Sequence, residues 1–335
     1  MIAIDVFGGD YAPGAVLDGC ARALREDPEV KLLLCGDEAV IFSYIKENGV
    51  DVSRVTIRHA PEVIAVEEKP TLAIKQKKNS SLVQSLRAVA EGEASCMVSA
   101  GSSGAVLAGA TLIVRRIKGV KRPALSPFMP TRSGKSVLLL DCGANTDCKP
   151  SYLQQFAVMG ATYIEAVQGV KNPRVGLLNN GAEAEKGNEL TKAAYPLLEQ
   201  APVRFVGNCE ARDALTGEFD VIVSDGFAGN ILLKSTEGTA ALMMEMLKDE
   251  LMSGFASKLG AALAKPAFAR FKAKMDYTEY GGALLLGIDG GVIKAHGSSN
   301  AKAIAAAIRQ AQAYGKNNVT QEIARAVASL EPVDE

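Results

Sequence analysis

Short apolar runs rich in Val, Ile and Leu alternate along this chain with longer segments of helical periodicity, and many of the runs stop at a glycine or an Asn/Asp cluster just before the next helix begins. Strands that read as near-continuous hydrophobic runs are covered on both faces, which is the condition of a mostly parallel α/β sheet. The pattern predicts strands over 2–6, 30–35, 55–58, 96–99, 136–141, 174–179, 203–206, 220–224, 283–286 and 292–294. Between them it predicts helices over 12–26, 80–91, 104–118, 152–167, 185–199, 229–251 and 301–314. A chain of 335 residues has room for one large α/β unit or two domains.

Six of the strand exits share a chemistry. They read Phe7-Gly8-Gly9-Asp10, Ala100-Gly101-Ser102-Ser103-Gly104, Cys142-Gly143-Ala144-Asn145, Asn179-Asn180-Gly181, Asp225-Gly226-Phe227-Ala228-Gly229-Asn230 and Ala295-His296-Gly297-Ser298-Ser299-Asn300. In open α/β sheets, loops at the carboxyl ends of strands bind ligands, and a helix N-terminus there offers unpaired N–H donors to an anion. Glycine in one such loop would mean only a tight turn. Six together, with Asn, Asp and Ser beside the glycines, point to a polar cleft that takes phosphate or a diphosphate-bearing ligand. The chain lacks both G-x-G-x-x-G after its first strand and G-x-x-x-x-G-K-[ST], so neither common nucleotide-binding mechanism is favoured.

Composition removes other classes. With 48% hydrophobic and 22% charged residues the chain is neither disordered nor fibrous, and a net charge of −1 gives no overall field to draw in nucleic acid. Aromatic residues make only 5% of the chain and Trp is absent, so a stacking platform for single strands is not expected. Six cysteines lie without a C-x-x-C pair and with two His only, the pattern of buried reduced thiols rather than of a metal site. The start of the chain resembles no signal peptide and no apolar run approaches the ~18 residues of a membrane span, giving the expectation of a cytoplasmic or peripheral protein.

One segment departs from the alternation. Residues 252–275, MSGFASKLGAALAKPAFARFKAKM, carry Lys258, Lys265, Arg270, Lys272 and Lys274 and no acidic side chain. Leu251, Phe255, Leu259 and Leu263 fall on one helical face, and Phe268, Phe271 and Met275 continue after Pro266. Pro266 is expected to stop or kink the helix, leaving two short amphipathic helices in a hairpin. Basic flanks on an apolar stripe suit an interfacial membrane anchor; a helix pair packed on the core or at a dimer interface fits the same pattern.

Taken in order, Asp5-x-x-Gly-Gly-Asp10, Ser99-Ala-Gly-Ser-Ser-Gly-Ala105, Asp141-Cys-Gly-Ala-Asn145, Gly176-Leu-Leu-Asn-Asn-Gly181 with Glu183 and Lys186-Gly187, Gly207-Asn208, Asp220-Val-Ile-Val-Ser-Asp-Gly-Phe-Ala-Gly-Asn230 and Tyr280-Gly-Gly-Ala-Leu-Leu-Leu-Gly287 closely resemble the bacterial phosphate acyltransferases of phospholipid synthesis, the PlsX type. The match runs from Ile2 to about Gly315, with Ser103 standing where Thr is expected. The resemblance implies transfer of a long-chain acyl group from acyl carrier protein to inorganic phosphate, giving acyl phosphate for a downstream membrane glycerol-3-phosphate acyltransferase, and it implies no cofactor. It further implies a homodimer, peripheral association with the anionic inner face of the membrane, and a three-layer α/β/α fold with a large mixed, mostly parallel sheet like that of isocitrate and isopropylmalate dehydrogenases. That fold is one unit of two interwoven halves, about 1–150 and 151–335, with the 252–275 hairpin protruding.

The residues can run such chemistry without a Ser-His-Asp set. Phosphate is an anionic nucleophile at neutral pH, and a thiol of pKa near ~8.5 is a tolerable leaving group. The reaction needs an anion site beside a carbonyl, donors for the oxyanion and exclusion of water. On these grounds Gly101, Ser102, Ser103 and Gly104 are the expected phosphate cradle, and Asn145, Asn180 and Gly229 further substrate-binding positions. Lys186, placed in the first turn of a helix, is the expected cation; Asn230 donates to the carbonyl or phosphate, and His296 protonates the thiolate or serves the oxyanion. Asp10 and Asp225 would repel phosphate and so orient a lysine or backbone amides. Phe255, Lys258, Leu259, Lys265, Phe268 and Phe271 form the expected membrane contact, and Lys75, Lys77 and Lys78 a docking patch for the acidic carrier. Three alternatives stay open: a phosphate acetyl- or butyryltransferase acting on short acyl-CoA, a nicotinamide-dependent dehydrogenase, and a non-enzymatic scaffold. An acyl-enzyme on Cys142 is the mechanistic rival.

Overall fold

The computed structural model describes residues 1–275 and 281–330, with the backbone alone for 272–275. Tyr280 of the last motif, and the side chains of Lys272, Lys274 and Met275 in the basic segment, lie outside that description. Twelve strands are described: β1 Ile2–Asp5, β2 Leu32–Gly36, β3 Val55–His59, β4 Cys96–Ser99, β5 Ala124–Ser126, β6 Phe128–Pro130, β7 Ser136–Leu140, β8 Arg174–Asn179, β9 Arg204–Glu210, β10 Val221–Val223, β11 Ala283–Leu286 and β12 Gly291–Lys294. The α-helices are α1 Gly14–Glu26, α2 Glu38–Asn48, α3 Pro70–Gln76, α4 Ser81–Ala90, α5 Ser103–Gly109, α6 Pro150–Gln168, α7 Glu189–Glu199, α8 Gly226–Met252, α9 Phe255–Met275, α10 Ala301–Lys316 and α11 Val319–Ala328.

The strands form a seven-stranded sheet in the order β3-β2-β1-β4-β12-β11-β5 and a five-stranded sheet in the order β6-β7-β10-β8-β9. Pairing is parallel except at β11–β12, β11–β5 and β6–β7. The sheets meet where β5 and β6 run beside β7: Cys142 N donates to Leu125 O at 2.9 Å and Leu139 N to Pro127 O at 3.1 Å. The chain leaves the first sheet after Ser126 and returns to it at Ala283, so β12 and β11 lie between β4 and β5.

Both faces of the sheets are buried, as the continuous apolar runs require. Ile2 and Ile4 enter one core while Ala3 enters another, and Leu138 and Leu140 are divided from Val137 and Leu139 in the same way. The largest core continues beneath both sheets and is filled by α6, whose Phe156 and Tyr163 are fully buried. The Tyr163 ring lies 5.9 Å from that of Phe128 and 6.4 Å from that of Tyr314, joining α6 to the second sheet and to α10. Helices cover both faces of this mixed, mostly parallel system, giving the expected α/β/α layers.

Four local expectations need correction. Strands β5 and β6 were not predicted: each has three residues, and Pro123, Pro127 and Pro130 interrupt the hydrophobic run that would have marked them. The helix expected over 104–118 is shorter, since α5 passes at Ala110 into a π-turn that ends at Arg115 with φ 76°. Helix α7 begins at Glu189 rather than 185, because Gly187 takes φ +106° and the Asn188 side chain caps the helix by accepting from Thr191 N at 2.9 Å. Pro266 does not divide the basic segment. It sits inside the continuous helix α9, where water can reach the carbonyl that proline leaves unbonded, and the hairpin is α8 and α9 joined at Ser253 and Gly254.

Candidate active site

The carboxyl ends of β4, β7 and β12 meet at a half-open cleft lined by Ser103, Gly104, Val106, Leu107, Leu125, Gly143, Ala144, Leu285 and Lys294. Its walls come from α5, from the exit of β7, and from β5, β11 and β12. The cleft lies where the two sheets meet, the position at which open α/β sheets bind ligands.

Two helix N-termini lie beside it, and they differ. At α8, Asp225 accepts from Phe227 N and Ala228 N at 2.9 and 2.8 Å, while Gly226 N donates to Asn145 O at 2.7 Å. Its first donors are therefore satisfied within the protein. At α5 no side chain caps the helix, and no acceptor among the described residues bonds the amides of Ser103, Gly104 or Ala105. Those amides and the positive end of the helix dipole are available to an anion at the cleft wall.

The α5 terminus is anchored from behind. Buried Asp5 accepts from Ser81 Oγ at 2.5 Å and Ser99 Oγ at 2.6 Å, and Ser99 Oγ accepts from Gly101 N at 3.0 Å. A Cβ on Gly8 would stand 2.4 Å from Asp5 Oδ2 and 2.8 Å from Gly101 N, so only glycine lets the first strand exit lie against this turn. Burial raises the Asp5 carboxyl above its usual range, opposed by the hydroxyls and by the charge of Lys294. Across the cleft, fully buried Asp141 accepts from Leu125 N, Ala144 N and Asn145 N at 2.8, 3.1 and 2.7 Å, fixing the β7 exit. Burial raises Asp141 too.

Lys294 is the cation that the cleft itself contains. It ends β12, is 8% exposed, and lines the cleft with Ser103 and Gly104, on a strand whose Lys294 is in register with Ser99 of the strand that leads into α5. Burial pulls its pKa down to about 8, against the opposing charges of Asp5 and Asp10. It was not among the expected site residues, because a lysine closing the run Gly291-Val292-Ile293-Lys294 reads as an ordinary strand end. Its position at the carboxyl end of a parallel strand was the available signal.

Of the expected residues, Ser103 and Gly104 line the cleft, and Gly101 and Ser102 lead into it. Asn230 stands at its edge, with Oδ1 4.0 Å from where a Cβ on Gly143 would lie. Asn145 Nδ2 donates to Pro123 O at 2.7 Å and Asp141 Oδ2 at 2.9 Å, so both amide hydrogens hold the loop. A Cβ on Gly229 would stand 2.0 Å from Asp141 O, which gives that glycine a packing reason. Asp225 orients backbone amides as the cap of α8, and Asp10, whose N donates to Gly297 O at 2.9 Å, bears electrostatically on Lys294 rather than on Lys186. His296 is exposed, with Nδ1 2.8 Å from Ser298 Oγ and 3.3 Å from Ser298 N. Lys186 and Asn180 are exposed on the β8 exit, outside the cleft lining, and Lys186 precedes α7 rather than belonging to its first turn.

Cys142 is buried, and burial together with the charge of Asp141 pushes its thiol well above the ordinary range, which disfavours the thiolate an acyl-enzyme needs. Lys77 pairs with Glu68 at 2.6 Å, while Lys75 and Lys78 are exposed beside α3, which reaches the cleft where Pro70 meets Gly104. Among the described residues no group of three His, Cys, Asp or Glu could hold a metal ion, and no helix is long and apolar enough to cross a membrane.

Residues 1–322 match the family described as fatty acid synthesis protein. A phosphate acyltransferase of Exiguobacterium sp. is 50% identical over 98% of this chain and 99% of its own. One of Bacillus cereus is 49% identical over 98% and 97%. Among solved structures, the EutD phosphotransacetylase from Staphylococcus aureus superposes with a TM-score of 0.59 at 17% identity, covering 97% of this chain and 93% of its own. A branched-chain phosphotransacylase from Enterococcus faecalis gives 0.57 at 14%, covering 94% and 99%. At those identities the structural likeness is one of fold.

Proposed function

Because the chain belongs to the phosphate acyltransferase family of fatty acid synthesis proteins, we propose that it moves a long-chain fatty acyl group from the thioester of acyl carrier protein to inorganic phosphate, releasing acyl phosphate and the carrier's free thiol. The observation that carries the reading is the unpaired amide terminus of α5 at the wall of the cleft. A helix N-terminus of this kind favours a small anion.

In this mechanism phosphate rests on the amides of Ser103 and Gly104, beside the hydroxyls of Ser102 and Ser103. One phosphate oxygen attacks the thioester carbon, and the carbonyl π electrons move onto oxygen. Asn230 and His296 donate to that oxyanion, a role worth about 3–4 kcal/mol for a well-placed donor. As the carbonyl re-forms, the C–S bond breaks and the thiolate leaves with the bonding pair, to be protonated by solvent or His296. Lys186 and Asn180 approach from β8, two strand spacings or roughly 10 Å from β7, and bind developing charge on that side. The apolar lining, Val106, Leu107, Leu125 and Leu285, keeps water from the acyl phosphate.

The acidic carrier docks on the basic surface around Lys75 and Lys78, and the α8–α9 hairpin of a cytoplasmic homodimer rests on the anionic inner face of the membrane. There acyl phosphate passes to a membrane glycerol-3-phosphate acyltransferase. The likeness to phosphotransacetylases favours a second reading, a short acyl-CoA substrate. A hairpin with Phe255 87% and Leu263 79% exposed supports the lipid reading instead. Carrier-thiol release from palmitoyl carrier protein, with and without phosphate and beside acetyl-CoA, tests both. Phosphate-dependent release from the palmitoyl carrier at a far higher kcat/KM is expected; preference for acetyl-CoA overturns the long-chain reading, and no phosphate dependence overturns the activity.

A further inference from the structure

Lys294 has an unusual electrostatic position. Its side chain is more than nine-tenths buried, yet no carboxylate among the described residues comes within ion-pair distance of its ammonium. Asp5 and Asp10 act on it only at a distance: Asp5 accepts from Ser81 and Ser99, and Asp10 is exposed on the first loop. Among the described residues the only acceptor bonded to Nζ is Ala295 O. An ammonium has three donors, so two remain, on a side chain that lines the cleft with Ser103 and Gly104. Taking a charge out of water without a partner is costly, and a protein retains such a group where a ligand supplies the counter-charge.

We propose that Lys294 is the cleft's own phosphate-binding cation, holding the anion together with the neighbouring α5 amides, with Asp5 as a positioning residue that fixes the α5 turn through Ser99. The inference rests on the phosphate-binding reading and sharpens it, since it locates the positive charge on β12 instead of on the exposed β8 loop. The ammonium stays a binding group throughout; it neither gives nor takes a proton in the transfer. Its charge offsets that of the attacking phosphate, so the nucleophile can approach a carbonyl that is itself gaining negative charge.

The first test uses the unaltered protein. Cyanate carbamylates lysine amines, and the extent at Lys294 is read from the mass of its peptide with Lys75 as an internal reference. Saturating inorganic phosphate is expected to slow modification of Lys294 several-fold and leave Lys75 unchanged. Equal rates at Lys294 with and without phosphate overturn the proposal. So does protection by carrier protein but not by inorganic phosphate, because the bound anion would then be the carrier's phosphodiester. In the second test Lys294→Met is expected to raise the KM for phosphate at least tenfold while moving the KM for acyl carrier protein less than threefold. A folded variant with the original phosphate KM overturns the assignment. Should the unaltered protein show no phosphate-dependent thiol release, the proposed activity fails, whereas the labelling still decides whether Lys294 binds the anion.

Discussion

A buried lysine has a signature in the pH dependence of stability. The Lys294 amine loses its proton near pH 8 in the folded chain and near 10.5 unfolded. Between those values the unfolded chain binds more protons, so this group makes stability rise with pH; below about 8 both states carry the proton and its burial cost is fully present. In phosphate-free buffer the urea-unfolding free energy is therefore expected to rise from pH 8 to 10 by on the order of 2 kcal/mol more than in Lys294→Met. A parallel pH dependence in the two proteins contradicts it. What the backbone supplies is legible in the sequence at this scale: Ser103 and Gly104 read as a glycine-serine helix start, and α5 begins at Ser103. Lys294 is not legible in this way, since a strand-ending lysine shows its burial only when neighbouring elements remove it from water. Asn145 and Gly229 were legible as important, but the structure attaches them to loop fixing and close packing.

Element by element, the hairpin contrasts with α6. Helix α6 buries twelve of its residues, whereas α8 buries only Gly226 and Gly229 among its described residues. Leu242, Met243, Met246, Phe255, Leu259 and Leu263 are exposed, an apolar surface that continues from α8 into α9. The basic apolar stripe was visible in the sequence; the uninterrupted course of α9 through Pro266 was not, because a lost backbone bond is cheap in solvent and costly in a core. Substituting Phe255→Asp or Leu259→Asp is expected to change folding stability by less than about 0.5 kcal/mol. The same substitutions should lower flotation with anionic vesicles several-fold at low salt. Equal flotation of variant and parent refutes the membrane contact, and a large loss of stability would show that these residues pack on protein. Strands β5 and β6 stayed hidden for a different reason: at three residues each, between prolines, they carry too little periodicity to be recognised.

Over the whole molecule, the first sheet is completed from both ends of the chain. Strand β4 pairs with β12, and β5 finds its partner in β11, so a fragment of residues 1–126 exposes the apolar edge of β4 and leaves β5 unpaired. Such a fragment is expected to lack dispersed amide resonances and to aggregate, while the full chain unfolds in one transition because a single core underlies both sheets. A folded, monomeric fragment counts against that coupling. Strand existence and the α/β class were readable from hydrophobic runs, since both follow from local burial. Strand order was not, because the insertion of β12 beside β4 depends on contacts across most of the chain.

The interleaving also sets an order of events in the cell. The roughly 190 residues between Ser99 and Gly291 take on the order of 10 to 40 s to emerge from the ribosome. Through that interval β4 has β1 alone beside it, and the cleft lacks Lys294. Lys294 arrives with the strand that closes the sheet, so a chain broken off before it is made lacks both its last central pairing and its buried ammonium. Quality of folding and competence to hold phosphate are thereby tied to one late segment.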